Sequence, residues 1–243
     1  GVQTCALPIS YAASKPSEIS GATDQRSNTF YYDGNQGSLT NDQYNALDVL
    51  YAPDVQVGYK QQVDMTFYHQ MCRIIVTVNS TATKGAKPVT SIVFGKNNVA
   101  AGGTLTPGYT GTAVNGMASW SISQNKSVQM RLNSRVYQEG NATIGTSTIR
   151  QATYECVVPP QSLARDAVLF QITTTDSNGS TTTTNYIPQD LYQDAPVFQA
   201  GYQYNYMLTL SRQGMVIIST VQVIGWATSN VNDLTATVPD AGY

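Results

Sequence analysis

Val63-Asp64-Met65-Thr66-Phe67-Tyr68-His69-Gln70-Met71-Cys72-Arg73-Ile74-Ile75-Val76-Thr77-Val78 is the stretch that decides the fold. Val63, Met65, Phe67, His69 and Met71 alternate on one face. After Met71 the apolar set moves to Cys72, Ile74, Val76 and Val78. Period two marks a β-strand. A slip of one residue turns every later side chain to the opposite face. The stretch therefore predicts a β-bulge, or a strand passing between two packing surfaces. One unbroken strand of this length would reach ~53 Å at ~3.3 Å per residue, so a bend or break is expected.

Outward from this stretch the pattern stays β. Phe30-Tyr31-Tyr32 is an aromatic strand fragment in an otherwise polar, turn-rich region, 10–45. Asp48 to Ala52 is a short apolar run stopped by Pro53, which reads as a buried strand. Ser91 to Phe94, Ala118 to Ile122, Val128 to Leu132 and Tyr154 to Val158 follow, with a Gly-rich connection at 100–111. Gln161 to Asp166 reads as a single helical turn. Ala167 to Thr175 and Ser180 to Pro188 flank Asn178-Gly179, a hairpin signal. Tyr202, Tyr204, Tyr206, Leu208 and Leu210 share one face and read as a core stripe. Met215 to Trp226 is the most apolar run, broken by Ser219, Thr220 and Gln222; Leu234 to Val238 closes the chain. Strands recur with no βαβ rhythm, which predicts an all-β antiparallel β-sandwich.

Composition agrees and excludes several functions. The 243 residues carry Lys+Arg 13 and Asp+Glu 15, net charge -2, with charged residues at 12% and hydrophobic residues at 41%. There are 29 Thr, 20 Ser and 16 Tyr. Such a chain has no basic patch for nucleic acid or an anionic membrane surface. It is too apolar and too weakly charged for disorder. No run approaches the ~18 apolar residues of a membrane span.

The candidate chemistry is sparse. His69 is the single histidine. As a general base it would need a nucleophile and an orienting carboxylate, and no G-x-S-x-G elbow is present. The simpler reading is a buried histidine hydrogen-bonded to backbone. A metal site from His69, Cys72 and Cys156 lacks a fourth ligand, and residues three apart on a strand face opposite ways. Cys72 and Cys156 read as buried thiols, with one bridge as the alternative. Asp33-Gly34-Asn35-Gln36-Gly37 begins like a calcium loop, but Tyr44 stands where the bidentate Glu belongs and no helices flank it, so a turn is expected. The fifteen acids are scattered singly. No catalytic, cofactor-binding or metal residue is assigned, and no enzyme activity is expected.

Gly1 to Ile9 resembles the in-frame translation of a sequencing adapter, and on that reading is excluded from the fold. Native sequence is then expected from Ser10, with the true N-terminus missing. Cys5 lacks the small residues of a lipid-anchor site before it.

Three groups of motifs converge on one family. Asp48-Val49-Leu50-Tyr51-Ala52, then Val63 to Met71 with its Phe67 and His69, form the first. Val157-Val158-Pro159-Pro160-Gln161 is the second. Gly201-Tyr202-Gln203-Tyr204-Asn205-Tyr206-Met207-Leu208-Thr209-Leu210, ending at Ile224-Gly225-Trp226, is the third. In order and spacing they resemble the Bacteroidales fimbrillin family, in its Mfa-like branch of major and minor fimbrium subunits. The resemblance implies transthyretin-like β-sandwich domains: a remnant of an N-terminal domain at 10–58 and a C-terminal domain at 59–243. It implies export as an outer-membrane lipoprotein to the cell surface, with any membrane link through a lipid anchor that lies outside this sequence. It implies a pilus subunit or pilus-associated adhesin, joined to other pilus subunits by strand donation, with host glycan or protein as further partners. A non-polymerising surface module that binds glycan or protein is the alternative. Leu234 to Val238 is the candidate donor strand.

Overall fold

The computed structural model describes residues 28–30, 34–51, 67–82, 89–106, 119–137, 148–175, 178–191, 194–210 and 216–226. Along the chain these form β1 (Asn28–Phe30), a 3-10 turn (Gln36–Ser38), helix α1 (Asn41–Asn45), β2 (Leu50–Tyr51), β3 (Tyr68–His69), β4 (Cys72–Ala82), β5 (Val89–Val99) and β6 (Gly103–Thr106). Then come β7 (Ser119–Ile122), β8 (Lys126–Gln129), β9 (Arg131–Tyr137), β10 (Thr148–Val158), β11 (Gln161–Ser162), β12 (Phe170–Thr175) and β13 (Thr181–Tyr186). A 3-10 turn (Pro188–Leu191), β14 (Val197–Phe198), β15 (Tyr202–Leu210) and β16 (Val216–Gly225) complete the order.

A five-stranded sheet, β16-β15-β4-β10-β9, faces a four-stranded sheet, β13-β12-β5-β8. All pairings in these two sheets are antiparallel except β15 with β4. Between the sheets lies the main core: Cys72, Ile74, Val76 and Val78 of β4, Tyr154, Cys156 and Val158 of β10, Tyr204, Tyr206 and Leu208 of β15, with Ile92, Phe94, Phe170 and Ile172 opposite. Each such side chain is worth about 1.5–3 kcal/mol on burial. Phe170 meets Tyr206 edge-on at 5.0 Å, and Phe198 meets Tyr204 likewise at 4.9 Å.

The slip at Met71 is real and has a packing cause. β3 ends at His69 and β4 begins at Cys72. Met71 enters a second cluster with Tyr44, Leu47, Val49, Leu105 and Val157, while Cys72 enters the main core. Val157 alternates with the core residues Cys156 and Val158, so this second cluster lies on the outer face of the five-stranded sheet. The strand thus serves two packing surfaces in turn. Val128 to Leu132 behaves similarly: β8 belongs to one sheet and β9 to the other, with Met130 buried at the crossing and its N–H donated to Ile92 O at 2.9 Å.

Three expectations are corrected. Gln161 to Asp166 is not one helical turn: a turn closes only at its end, where Ala167 N donates to Ala164 O at 3.1 Å, while β11 pairs with β14 and the Gln161 side chain holds the backbone extended, accepting from Ala100 N at 2.8 Å and donating to Ala100 O at 3.1 Å. The Gly-rich connection contains β6, sandwiched between β1 and β7. Helix α1 stands in the region read as polar and turn-rich, where no helix was expected. Thr40 caps it, accepting from Gln43 N while the Gln43 side chain accepts from Thr40 N. The Asn178-Gly179 hairpin is present, with Gly179 at φ +81.

Candidate functional site

Three motif residues far apart in sequence meet at one end of the sandwich. β2 and β3 pair with Leu50 opposite His69, and Gln70 N donates to Val49 O at 2.8 Å. That ladder brings Asp48 alongside His69. His69 Nδ1 lies 2.7 Å from Asp48 Oδ2, with His69 only 9% exposed. The Trp226 indole stacks on the imidazole at 4.4 Å between centroids, with 4° between the planes. Trp226 N donates to Gly201 O at 2.7 Å, and Gly201 N to Met71 O at 2.9 Å. Gly201 sits at φ +75, the left-handed region open to glycine. His69 is therefore buried, as expected, but its Nδ1 meets a carboxylate and not backbone. When the imidazole is protonated this is an ion pair with an aromatic lid, a cation–π arrangement. The lid covers one ring face.

The other sequence candidates go elsewhere. Cys72 and Cys156 are free and buried in the main core. Cys72 stands opposite Val158, and Cys156 opposite Ile74, so the two are diagonal neighbours on one face. Diagonal positions are ~7–8 Å apart, beyond the reach of a disulfide without backbone movement. Burial pushes both thiols up, which disfavours the thiolate. Cys72 Sγ donates to Val158 O at 3.2 Å. Among the described residues no group of three His, Cys, Asp or Glu could hold a metal ion.

The calcium-like stretch is a turn that plugs a gap between strands; Asp33 lies outside the described residues. Gln129 N donates to Gly34 O at 2.6 Å. Gly34 has φ +80, and a Cβ there would lie 2.6 Å from Ser127 O, so both torsion and space demand glycine. Gln36, fully buried, donates to Val157 O at 2.6 Å and accepts from Val157 N at 2.9 Å. Its amide takes the place of a neighbouring strand where β9 has ended.

Beside it lies a buried charge network. Glu155 is 3% exposed on the outer face of β10. Arg73 Nη2 donates to Glu155 Oε2 at 2.5 Å, and Arg131 Nη1 is 3.7 Å from Oε1. Arg131 also bonds the Asn41 side chain and lies over the Tyr44 ring at 5.1 Å. Burial disfavours the Arg73 charge, but the Glu155 contact outweighs it and raises the guanidinium above its ordinary value. Burial, then the Glu155 charge, raises the Tyr44 hydroxyl. The network fastens α1 to the sheet.

The remaining feature is an open edge. Among the described residues β16 pairs on one side only, with β15. Val221 and Val223 stand opposite Tyr206 and Tyr204, hence on the core-facing side, yet they are 41% and 52% exposed. Ile224, on the outer face, is 39% exposed, and Met207 and Tyr202 of β15 are exposed too. Tyr202 thus departs from the expected core stripe, whereas Tyr204, Tyr206 and Leu208 are buried.

The sequence profile of the fimbrillin-like family matches residues 11–226. The chain belongs to the fimbrillin-like family. Two solved structures share its fold. One is a candidate cell adhesion protein from Bacteroides uniformis ATCC 8492: 16% identity, TM-score 0.52, covering 86% of this chain and 69% of that one. The other is a candidate cell adhesion protein from Bacteroides ovatus ATCC 8483: 14% identity, TM-score 0.54, covering 86% of this chain and 63% of that one. Comparison with curated proteins returned no match.

For a fimbrillin-like chain the role is fimbrial and the location is the cell surface. No helix among the described residues is long and apolar enough to cross a membrane. The fimbrillin-like motifs also gain meaning. Asp48, His69 and Trp226 form the stacked clamp, and Gln161 of the Pro-Pro-Gln element holds the Ala100 backbone. Gln36 was legible only as part of a polar turn and Glu155 only as the one acid in an apolar strand run, and neither position signalled its partner.

Proposed function

We propose that this chain is a pilus subunit or pilus-associated adhesin that joins its neighbours by β-strand donation. The observation that carries the reading is the edge of β16, with apolar groups on both faces and one ladder unfilled among the described residues. Such edges template pairing with another strand. Main-chain bonds then supply affinity and alternate side chains supply specificity. The candidate donor is Leu234 to Val238, which lies outside the described residues. The same reading assigns 10–58 and 59–243 to two transthyretin-like sandwich units, a lipid anchor as the membrane link, and host glycan or protein as the target of adhesion.

The experiment is assembly of the purified chain. Ladders resistant to mild denaturation are expected. Deleting 234–238 should abolish them; ladders that persist would remove the tail as donor. A chain that stays monomeric and gives specific hits on a glycan array would replace this reading with that of a non-polymerising binding module.

A further inference from the structure

We propose that Asn178 is a self-modification site: in the folded chain its side chain closes on Gly179 N to a succinimide, which water opens to aspartate and isoaspartate. The inference is independent of how the chain assembles.

Asparagine is among the thermolabile residues. Ring closure needs a following residue whose amide nitrogen is unblocked and can turn toward the side chain, and glycine, with no Cβ, permits this most freely. Among the described residues only Asn178 precedes a glycine; the other such pair, Asn115-Gly116, lies outside them.

The fold leaves the attacking nitrogen available. β12 and β13 pair from Phe170 with Tyr186 out to Thr175 with Thr181, so Asn178 and Gly179 lie past the last rung. Asn178, Gly179 and Ser180 are all exposed. Among the described residues Gly179 N donates no hydrogen bond. Gly95 and Gly201, also at positive φ, are the contrast: Gly95 N donates to Leu169 O at 2.8 Å and Gly201 N to Met71 O at 2.9 Å. Gly179 has φ +81, and a Cβ there would meet nothing within 4 Å. The ring therefore forms without displacing a neighbour, at a loop tip, where backbone change is best tolerated. Other asparagines are held by their side chains. Asn97 Oδ1 accepts from Ser127 Oγ at 3.2 Å, Asn98 Nδ2 donates to Val168 O at 3.1 Å, and Asn185 Oδ1 accepts from Gln171 Nε2 at 3.1 Å.

The step balances with water alone. Gly179 N loses its proton to solvent base and bonds to Asn178 Cγ. The Cγ–Nδ2 bond breaks, and Nδ2 leaves as ammonia with a proton from solvent. Water then adds to one of the two ring carbonyls. Opening at Cγ gives aspartate; opening at the main-chain carbonyl gives isoaspartate, with one more carbon in the main chain. Either product adds one negative charge to a chain of net charge -2. That charge appears at the end of β13, which has no charged residue and pairs on one side only among the described residues. Charge beside such a strand is a guard against stray pairing.

Peptide mapping by tandem mass spectrometry tests this on the purified full chain, incubated at mildly alkaline pH in its native state and, in parallel, unfolded in urea. Isoaspartate and aspartate are expected at 178, with isoaspartate the larger share, confirmed by methylation with an isoaspartyl methyltransferase. The native rate should lie within about threefold of the unfolded rate, because the loop needs no costly opening. A native rate far below the unfolded one would show that the fold protects Asn178 and would overturn the proposal. Aspartate without isoaspartate would also overturn it, since direct hydrolysis passes through no ring. Gly179→Ala places a Cβ beside the attacking nitrogen and should slow conversion about tenfold or more; an unchanged rate is contrary.

Discussion

The indole of Trp226 and the imidazole of His69 lie parallel, 4.4 Å apart, although one follows the last described strand and the other sits near the start of the first long one. Asp48 Oδ2, 2.7 Å from Nδ1, holds the imidazole at its edge. The stack therefore ties β16 to β2 and β3. Replacing Trp226 by Ala should cost roughly 2–4 kcal/mol, somewhat below a fully buried aromatic truncation because the indole is partly exposed. His69→Ala should cost less. The double variant should cost less than the sum, with a coupling of about 0.5–1.5 kcal/mol, the worth of an aromatic pair beyond its area. Urea denaturation of the four chains measures it. Strict additivity would mean the stack contributes no specific energy.

Glu155 sets a different asymmetry. It is buried between two guanidiniums, Arg73 at 2.5 Å and Arg131 at 3.7 Å, and Arg73 is 28% exposed. Removing one member of a buried pair leaves the other charge uncompensated, at about 3–5 kcal/mol. Glu155→Gln should fall near the lower end of that range. Arg73→Gln should cost less, because Arg131 still faces the carboxylate and water reaches the vacated side. Thermal unfolding of the two variants reads the order. Equal losses below about 0.5 kcal/mol would reduce the network to surface behaviour.

What could be read from sequence follows from what is local. The shift from Met71 to Cys72 was legible because period two is a backbone property, and a change of packing surface appears as a change of phase. The Asn178-Gly179 hairpin was legible because a left-handed turn residue is a local demand. Gln161 was misread because a short polar run is compatible with a helical turn. Its extended state is imposed by Ala100, a partner 61 residues away. Asp48 as the partner of His69 is the same case. β16 is the sharper lesson: its apolar run marked a strand with two apolar faces, but sheet order decides which strand is left at the edge.

Stability should fall in alkali, for a reason visible in the core. Burial raises the thiols of Cys72 and Cys156 and the hydroxyls of Tyr44 and Tyr206, and it pushes the Tyr186 hydroxyl up to about 12. These groups stay protonated in the folded chain at a pH where the unfolded chain has released its protons. Their contribution is thus complete below the unfolded values, about 8.5 for Cys and about 10 for Tyr, and is lost as pH rises beyond them. Each group weakens folding by up to about 1.4 kcal/mol per pH unit in that window. Urea midpoints should match at pH 7 and pH 8, then drop above about pH 9. Cys72→Val with Cys156→Val should delay the drop to the tyrosine range. An onset that does not move would assign alkaline loss to other groups.

Gln36 offers the most selective test, because its amide makes two opposite bonds to one residue. It donates to Val157 O at 2.6 Å and accepts from Val157 N at 2.9 Å, where β10 still pairs with β4 on one side but its ladder with β9 stops at Glu155 on the other. Gln36→Ala leaves both backbone groups buried without partners, each at about 1–3 kcal/mol, so a loss of roughly 2–6 kcal/mol is expected. Gln36→Glu separates the two bonds. A carboxylate can still accept from Val157 N, but it cannot donate to Val157 O while ionised. That variant should be destabilised at neutral pH and should recover part of the loss as acid protonates the new side chain and restores a donor. Guanidinium melts of wild type, Gln36→Ala and Gln36→Glu at pH 7 and pH 4.5 measure the effect. Two variants with equal losses at both pH values would show that volume at residue 36, and not the paired hydrogen bonds, holds this segment to β10.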